Sequence, residues 1–103
     1  MIIYNVTVNI DNAVHTEWLE WMKTVHIPDV MSTGMFIESR IYKVLADEDS
    51  GGQTYSFQYV SKSMQEYEQY RDIYAPALQA QVRNKYGDKF VAFRTLLEVI
   101  KPH

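Results

Sequence analysis

The stretch IIYNVTVNI, residues 2–10, sets Ile2, Tyr4, Val6, Val8 and Ile10 on one side of an extended chain and Ile3, Asn5, Thr7 and Asn9 on the other. A period of two marks a strand with one buried face. The pattern then changes. Val14, Trp18, Trp21, Met22 and Val25 recur at i, i+4, i+7, i+8 and i+11, which is one face of a helix, and Asp11 or Asn12 is placed to cap it. Pro28 lacks an amide donor and disfavours helical geometry at Ile27. The helix is therefore expected to stop or kink there, with PDVMST, residues 28–33, forming a further turn closed by Gly34.

From Phe36 to Leu45 the chain reads as a second strand. The polar DEDSGGQ, residues 47–53, turns it into TYSFQYV, residues 54–60, as a hairpin. SMQE at 63–66 has the form of a capping box, and the helix it opens carries Met64, Tyr67, Tyr70 and Tyr74 along one side. Pro76 interrupts that helix; a further piece with Leu78, Val82 and Tyr86 follows and ends at Gly87. KFVAFRTLLEVI, residues 89–100, supplies a last strand with Val91, Phe93, Leu97 and Val99 in alternation.

The order β-α-β-β-α-β predicts a ferredoxin-like α+β domain spanning residues 1–103, with a four-stranded antiparallel sheet covered on one face by two helices. If the even-numbered residues of the first strand face the helices, the opposite sheet face collects Asn5, Thr7 and Asn9. The other strands add sets such as Glu38, Arg40 and Tyr42, or Thr54, Ser56 and Gln58, or Arg94 and Leu96. Such a mixed face is either solvated or packed on a copy of itself; the second reading predicts a two-fold homodimer, with Glu38, Arg40 and Arg94 read either as interface ion pairs or, more commonly for such residues, as solvated charges.

At 103 residues the chain has room for one core. It is 47% hydrophobic, and its apolar runs are too short to span a bilayer as a helix. The amino terminus reads as a strand rather than a signal peptide, so the cytoplasm is the expected location. Ten Lys and Arg against thirteen Asp and Glu, a net charge of -3, lack the electrostatic footprint of a nucleic-acid binder. Zero cysteines remove disulfides, thiolate nucleophiles and cysteine-held metal together. There is no Gly-rich phosphate loop, no HExxH, no G-x-S-x-G and no triad spacing, so neither a cofactor nor a metal is expected.

MIIYNVTVNID, W-x-x-W-M-K-x-V-HIPDVM-x-TG-x-F, YAPAL and GDKFVAFRTLLEVI together resemble the dimeric α+β barrel superfamily. Within it, the chain is similar to a group of small bacterial proteins catalogued as a domain of unknown function. The resemblance covers essentially the whole chain and implies two ferredoxin-like sheets packed face to face, with helices outside and pockets between each sheet and its helices. The superfamily includes cofactor-independent oxygenases, lactone isomerases, haem enzymes and proteins with no known activity, so the fold selects no reaction. Its haem peroxidases carry an axial histidine on a helix, and residues 63–86 contain none.

A pocket in that position makes Trp18, Met22, His26, Tyr67 and Tyr74 the candidate ligand-binding residues for a small apolar or aromatic molecule. The same spacing also describes plain core packing. The tyrosines imply a hydrogen-bond network or a wet polar pocket, since a buried phenol needs a partner. His26 reads in two ways. It either caps carbonyls at a helix end or, oriented by Asp29, moves a proton of a bound substrate, as an oxygenase or isomerase acting without cofactor requires. His15, eleven residues earlier, falls on the same side of a continuous helix and is expected near the same rim, roughly 16 Å away and too far to share a metal. A third possibility is an interaction module whose interior is filled by side chains.

Overall fold

The structure, a computed structural model, describes residues 1–45 and 51–101. Four strands, β1 (Ile2–Asp11), β2 (Glu38–Lys43), β3 (Gly52–Ser61) and β4 (Phe90–Glu98), form one sheet in the order β2-β3-β1-β4. Every neighbouring pair is antiparallel. With a helix after β1 and another after β3, this is the ferredoxin-like α+β arrangement that the element order predicts. Of the expected DEDSGGQ turn, residues 47–50 lie outside the described residues.

The alternation of β1 decides which residues meet the helices. Tyr4, Val8 and Ile10 are buried, and Val6 packs against the same core. Directly opposed residues of antiparallel strands project to one face. Tyr4 lies opposite Tyr59 and Leu96, Val6 opposite Phe57 and Arg94, and Val8 opposite Tyr55 and Ala92, so all of these are on the helix side. The expected placement of Arg94 and Leu96 on the outer face is therefore corrected. β4 is apolar on both sides, and its register against β1, rather than its pattern, sets the facing. The outer side of β4 carries Val91, Phe93, Thr95 and Leu97 beside Asn5, Thr7 and Asn9. On β2 the outer Glu38 and Arg40 pair with each other at 2.6 Å, and Arg94 takes no part.

The first helix covers residues 15–31. It consists of α1 (His15–Trp21), a π turn (Met22–His26) and α2 (Ile27–Met31). It does not start on a side-chain cap: the N-cap position is Val14, and Asp11 instead uses Oδ1 to accept the Ala13 N–H at 2.8 Å as the chain leaves β1. Nor does it stop at Pro28. The Ile27 N–H reaches back five residues to the Met22 carbonyl, and this widened turn keeps the chain helical where an α-helical proline would crowd the carbonyl four residues earlier. Gly34, at φ +78°, then reverses the chain.

The second helix repeats the device. α3 (Met64–Gln69) is capped by Ser63, whose Oγ accepts the Glu66 N–H at 3.3 Å. A π turn (Tyr70–Tyr74) follows, with the Ala75 N–H on the Tyr70 carbonyl, and then α4 (Ala75–Tyr86). The interruption expected at Pro76 takes this form. In both helices the proline stands two residues past the π turn.

Between the two layers, Trp18, Ile10 and Val30 are fully buried and Phe57 nearly so. Beside them Tyr4, Phe36, Tyr59 and Tyr70 form an aromatic cluster, with Phe36 and Tyr70 edge to face at 4.8 Å. Aromatic pairs of this geometry contribute about 0.5–1.5 kcal/mol each beyond the area they bury.

Candidate functional site

A cavity of about 190 Å³ lies between the sheet and the helices. Its floor comes from β1, β3 and β4, without the edge strand β2, through Tyr4, Val6, Val8, Phe57, Tyr59, Phe90, Ala92 and Arg94. The helices close it with Trp18, Met22 and His26 from the first, and Tyr70, Gln79, Val82 and Arg83 from the second. Both π turns contribute: Met22 and His26 belong to one, Tyr70 to the other. An engineered apolar cavity of about 150 Å³ accommodates a benzene ring, so this space suits one ring with a short substituent.

The lining is graded. Trp18 and Phe57 are essentially inaccessible to solvent, and Val8 is buried with them. Arg83 and Arg94 are exposed residues and mark the open side. Arg94 Nε donates to the Tyr4 hydroxyl at 3.2 Å. The phenols of Tyr59 and Tyr70 are pushed far above their ordinary range, chiefly by burial. They stay protonated at neutral pH and act as hydrogen-bonding groups rather than bases.

His26 is half-buried, its ring stacked on Trp21 at 5.6 Å between centroids. Its Nδ1 is buried and has no hydrogen-bond partner in the structure. Burial lowers the imidazole pKa, Asp29 opposes that shift, and the charge of Arg94 reinforces it. The residue is thus neither at a helix end nor carrying a caged proton: it lies inside a continuous helix, held towards its neutral form beside the cavity. The Trp18 indole N–H is likewise buried without a partner.

The other sequence candidates are placed differently. Tyr67 is half-buried against Tyr4, 5.3 Å between centroids, and does not line the cavity. Tyr74 is exposed and also outside the lining. The π turn separates them: it adds a residue between Tyr70 and Tyr74, so the stripe an α-helix would align is broken after Tyr70. His15 is not at the rim either; its Nε2 lies 2.6 Å from the Tyr55 hydroxyl, and the π turn at Met22–His26 takes His26 out of phase with it. Arg94, Arg83 and Gln79 are among the lining residues that the sequence candidates did not include, as are the sheet residues of the floor. Gln79 and Arg83, four apart in a helix, are a signal for a shared face that apolar periodicity alone does not weigh.

The architecture and its sheet-to-helix cavity define a ferredoxin-like α+β protein, and solved structures agree with that class. A dimeric ferredoxin-like protein from an uncultured marine organism superposes with a TM-score of 0.73 at 15% identity, covering 100% of this chain and 98% of its own. HapK from Hahella chejuensis gives 0.74 at 8% identity, covering 100% and 96%. SnoaB, a cofactor-independent oxygenase from Streptomyces nogalater, gives 0.67 at 10% identity, covering 99% and 97%. At these identities the likeness is one of fold. No curated protein matches the chain in sequence. The model of a domain of unknown function, DUF4286, matches residues 1–100, and the chain belongs to that family. Among the described residues no helix is long and apolar enough to cross a membrane.

Proposed function

We propose that the protein is a homodimeric α+β barrel that binds a small apolar or aromatic molecule in the space between its sheet and helices. The cavity of about 190 Å³, walled by Trp18, Met22, Val8 and Phe57 and rimmed by a few polar groups, is the observation that carries this reading. Ligand sites are commonly concave and mostly apolar, with a few placed polar groups of this kind. The same space weighs against an interaction module with a filled interior. Dimerisation is supported by the outer sheet face, where Val91, Phe93 and Leu97 are 55%, 65% and 42% exposed, and by the dimeric relative of the same fold.

Native mass spectrometry of gently purified protein tests both parts. Two chains carrying a discrete extra mass is the expected species; a bare single chain at micromolar concentration would overturn the dimer, and failure of any single-ring probe to bind would overturn the ligand.

A second reading places chemistry in the same cavity, as a cofactor-independent oxygenase or an isomerase. It is favoured by His26, an imidazole kept neutral and therefore able to accept a proton beside the ligand space. Under it, His26→Ala abolishes turnover while ligand affinity is kept.

A further inference from the structure

The cavity lining carries a charge pattern opposite to that of the chain. The protein has thirteen acidic against ten basic residues, yet the lining includes two arginines and no Asp or Glu. Among the described residues neither Arg83 nor Arg94 has a carboxylate within ion-pair distance. Arg94 rises from the sheet, held by its Nε bond to the Tyr4 hydroxyl, while Arg83 and Gln79 descend from α4, one turn apart on a shared face. These groups stand at the open side, and Trp18, Val8 and Phe57 form the closed, apolar end.

On the footing that the cavity is a binding site, as proposed above, we infer that its ligand is an amphipathic monoanion, a ring-bearing carboxylate, held with its ring against Trp18 and Phe57 and its acid group between Arg94 and Arg83. A guanidinium presents donors matched to a carboxylate, and two with no carboxylate partner among the described residues supply charge that nothing in the lining cancels. The Tyr4 hydroxyl occupies Nε of Arg94 and leaves the terminal nitrogens for the acid. Tyr4 and Arg94 together act as a positioning pair, with the phenol setting the angle of the guanidinium.

The size of the space points to the same class. A single ring fills most of about 190 Å³, so a carboxylate on that ring is carried to the mouth, where water and the arginines meet it. A neutral ring of the same shape gains the apolar contacts but brings no charge for the guanidiniums to meet.

The test is a two-dimensional NMR titration of the intact protein with 4-methylbenzoate and with 4-methylbenzamide, probes of nearly equal shape that differ by one charge. Charge-assisted hydrogen bonds support an affinity for the acid about ten-fold above that for the amide at low salt. Arg94→Met, which keeps the aliphatic stem, is expected to reduce that preference to below about three-fold, the acid losing more affinity than the amide. Should Arg94→Met fail to fold, Arg83→Met and the salt dependence of the wild-type protein carry the same test, because screening weakens the acid and spares the amide.

Equal binding of both probes, or a preference for the amide, would overturn the anion while the cavity stood as a binding site. A preference for the acid that survived both arginine variants would overturn the assignment of the head group. Binding of neither probe would remove the ligand-binding reading and this inference together.

Discussion

Arg94 Nε donates to the Tyr4 hydroxyl across 3.2 Å, tying β4 to β1 at the open side of the cavity. Tyr4 is 4% exposed and its ring lies between those of Phe36, Tyr59, Tyr67 and Tyr70, so one residue serves the aromatic core and the polar rim at once. Tyr4→Phe keeps the ring contacts and deletes only the hydroxyl. Because the arginine it releases is exposed and finds water, the expected cost is that of one hydrogen bond, about 1 kcal/mol. Urea unfolding checks it: a cost of about 3 kcal/mol would mean that the hydroxyl anchors more than Arg94.

The outer sheet face makes a separate prediction. Phe93 is 65% exposed at the middle of β4, between Val91 and Leu97 on the same face, and a second sheet laid on it would bury all three. Phe93→Glu sets a charge in that contact without touching the helix-side core. The variant is expected to elute as a folded monomer in size exclusion with light scattering, with wild-type circular dichroism. An unchanged dimer would place the interface elsewhere.

Gly52 opens β3 opposite Asp11, and a Cβ there would meet Asn9 Oδ1 at 2.5 Å and the Ile10 carbonyl oxygen at 2.7 Å. The Asn9 amide can swing, though at the cost of its 3.1 Å bond to Thr54; the Ile10 oxygen belongs to the backbone of a central strand and cannot. Gly52→Ala is therefore expected to cost about 1–3 kcal/mol, the range of overpacking. An urea midpoint equal to wild type would show that β3 has room to shift.

How much of this was legible depends on which residue is asked about. The facing of β1 is readable from residues 2–10 alone, because a half-buried strand writes its orientation into an alternation of apolar and polar side chains. β4 writes no such message. Val91, Phe93 and Leu97 are as apolar as Phe90, Ala92 and Leu96, so the facing of Arg94 depends on which β1 residue it meets, and that is a long-range fact. Trp18, Met22 and His26 could be grouped by helical spacing. Tyr74 could not be separated from Tyr70, since a π turn is a response to packing and to the proline beyond it. A proline announces that the hydrogen-bond ladder changes, without saying whether the chain will break or widen.

His26 supplies the last prediction, a dependence of stability on pH. Its imidazole is pulled below the ordinary value of 6.5, first by burial, with Arg94 pushing the same way and Asp29 pushing back. In the unfolded chain it titrates near 6.5. Between that value and the lower folded one, the unfolded state binds more protons than the native state, so stability falls as the pH drops through that window. Below the folded pKa both states are protonated, and the contribution of this residue is flat. His26→Gln removes the titration, and the difference in unfolding free energy between wild type and variant is expected to vary with pH only between the folded pKa and about 6.5. The neighbours give the sign a second check by NMR of the imidazole. Asp29→Asn removes the opposing carboxylate and lowers the His26 pKa further, whereas Arg94→Met removes a repelling cation and raises it. An imidazole that titrates at or above 6.5 in the folded wild-type protein would mean that burial does not govern its charge, and the window of falling stability would vanish with it.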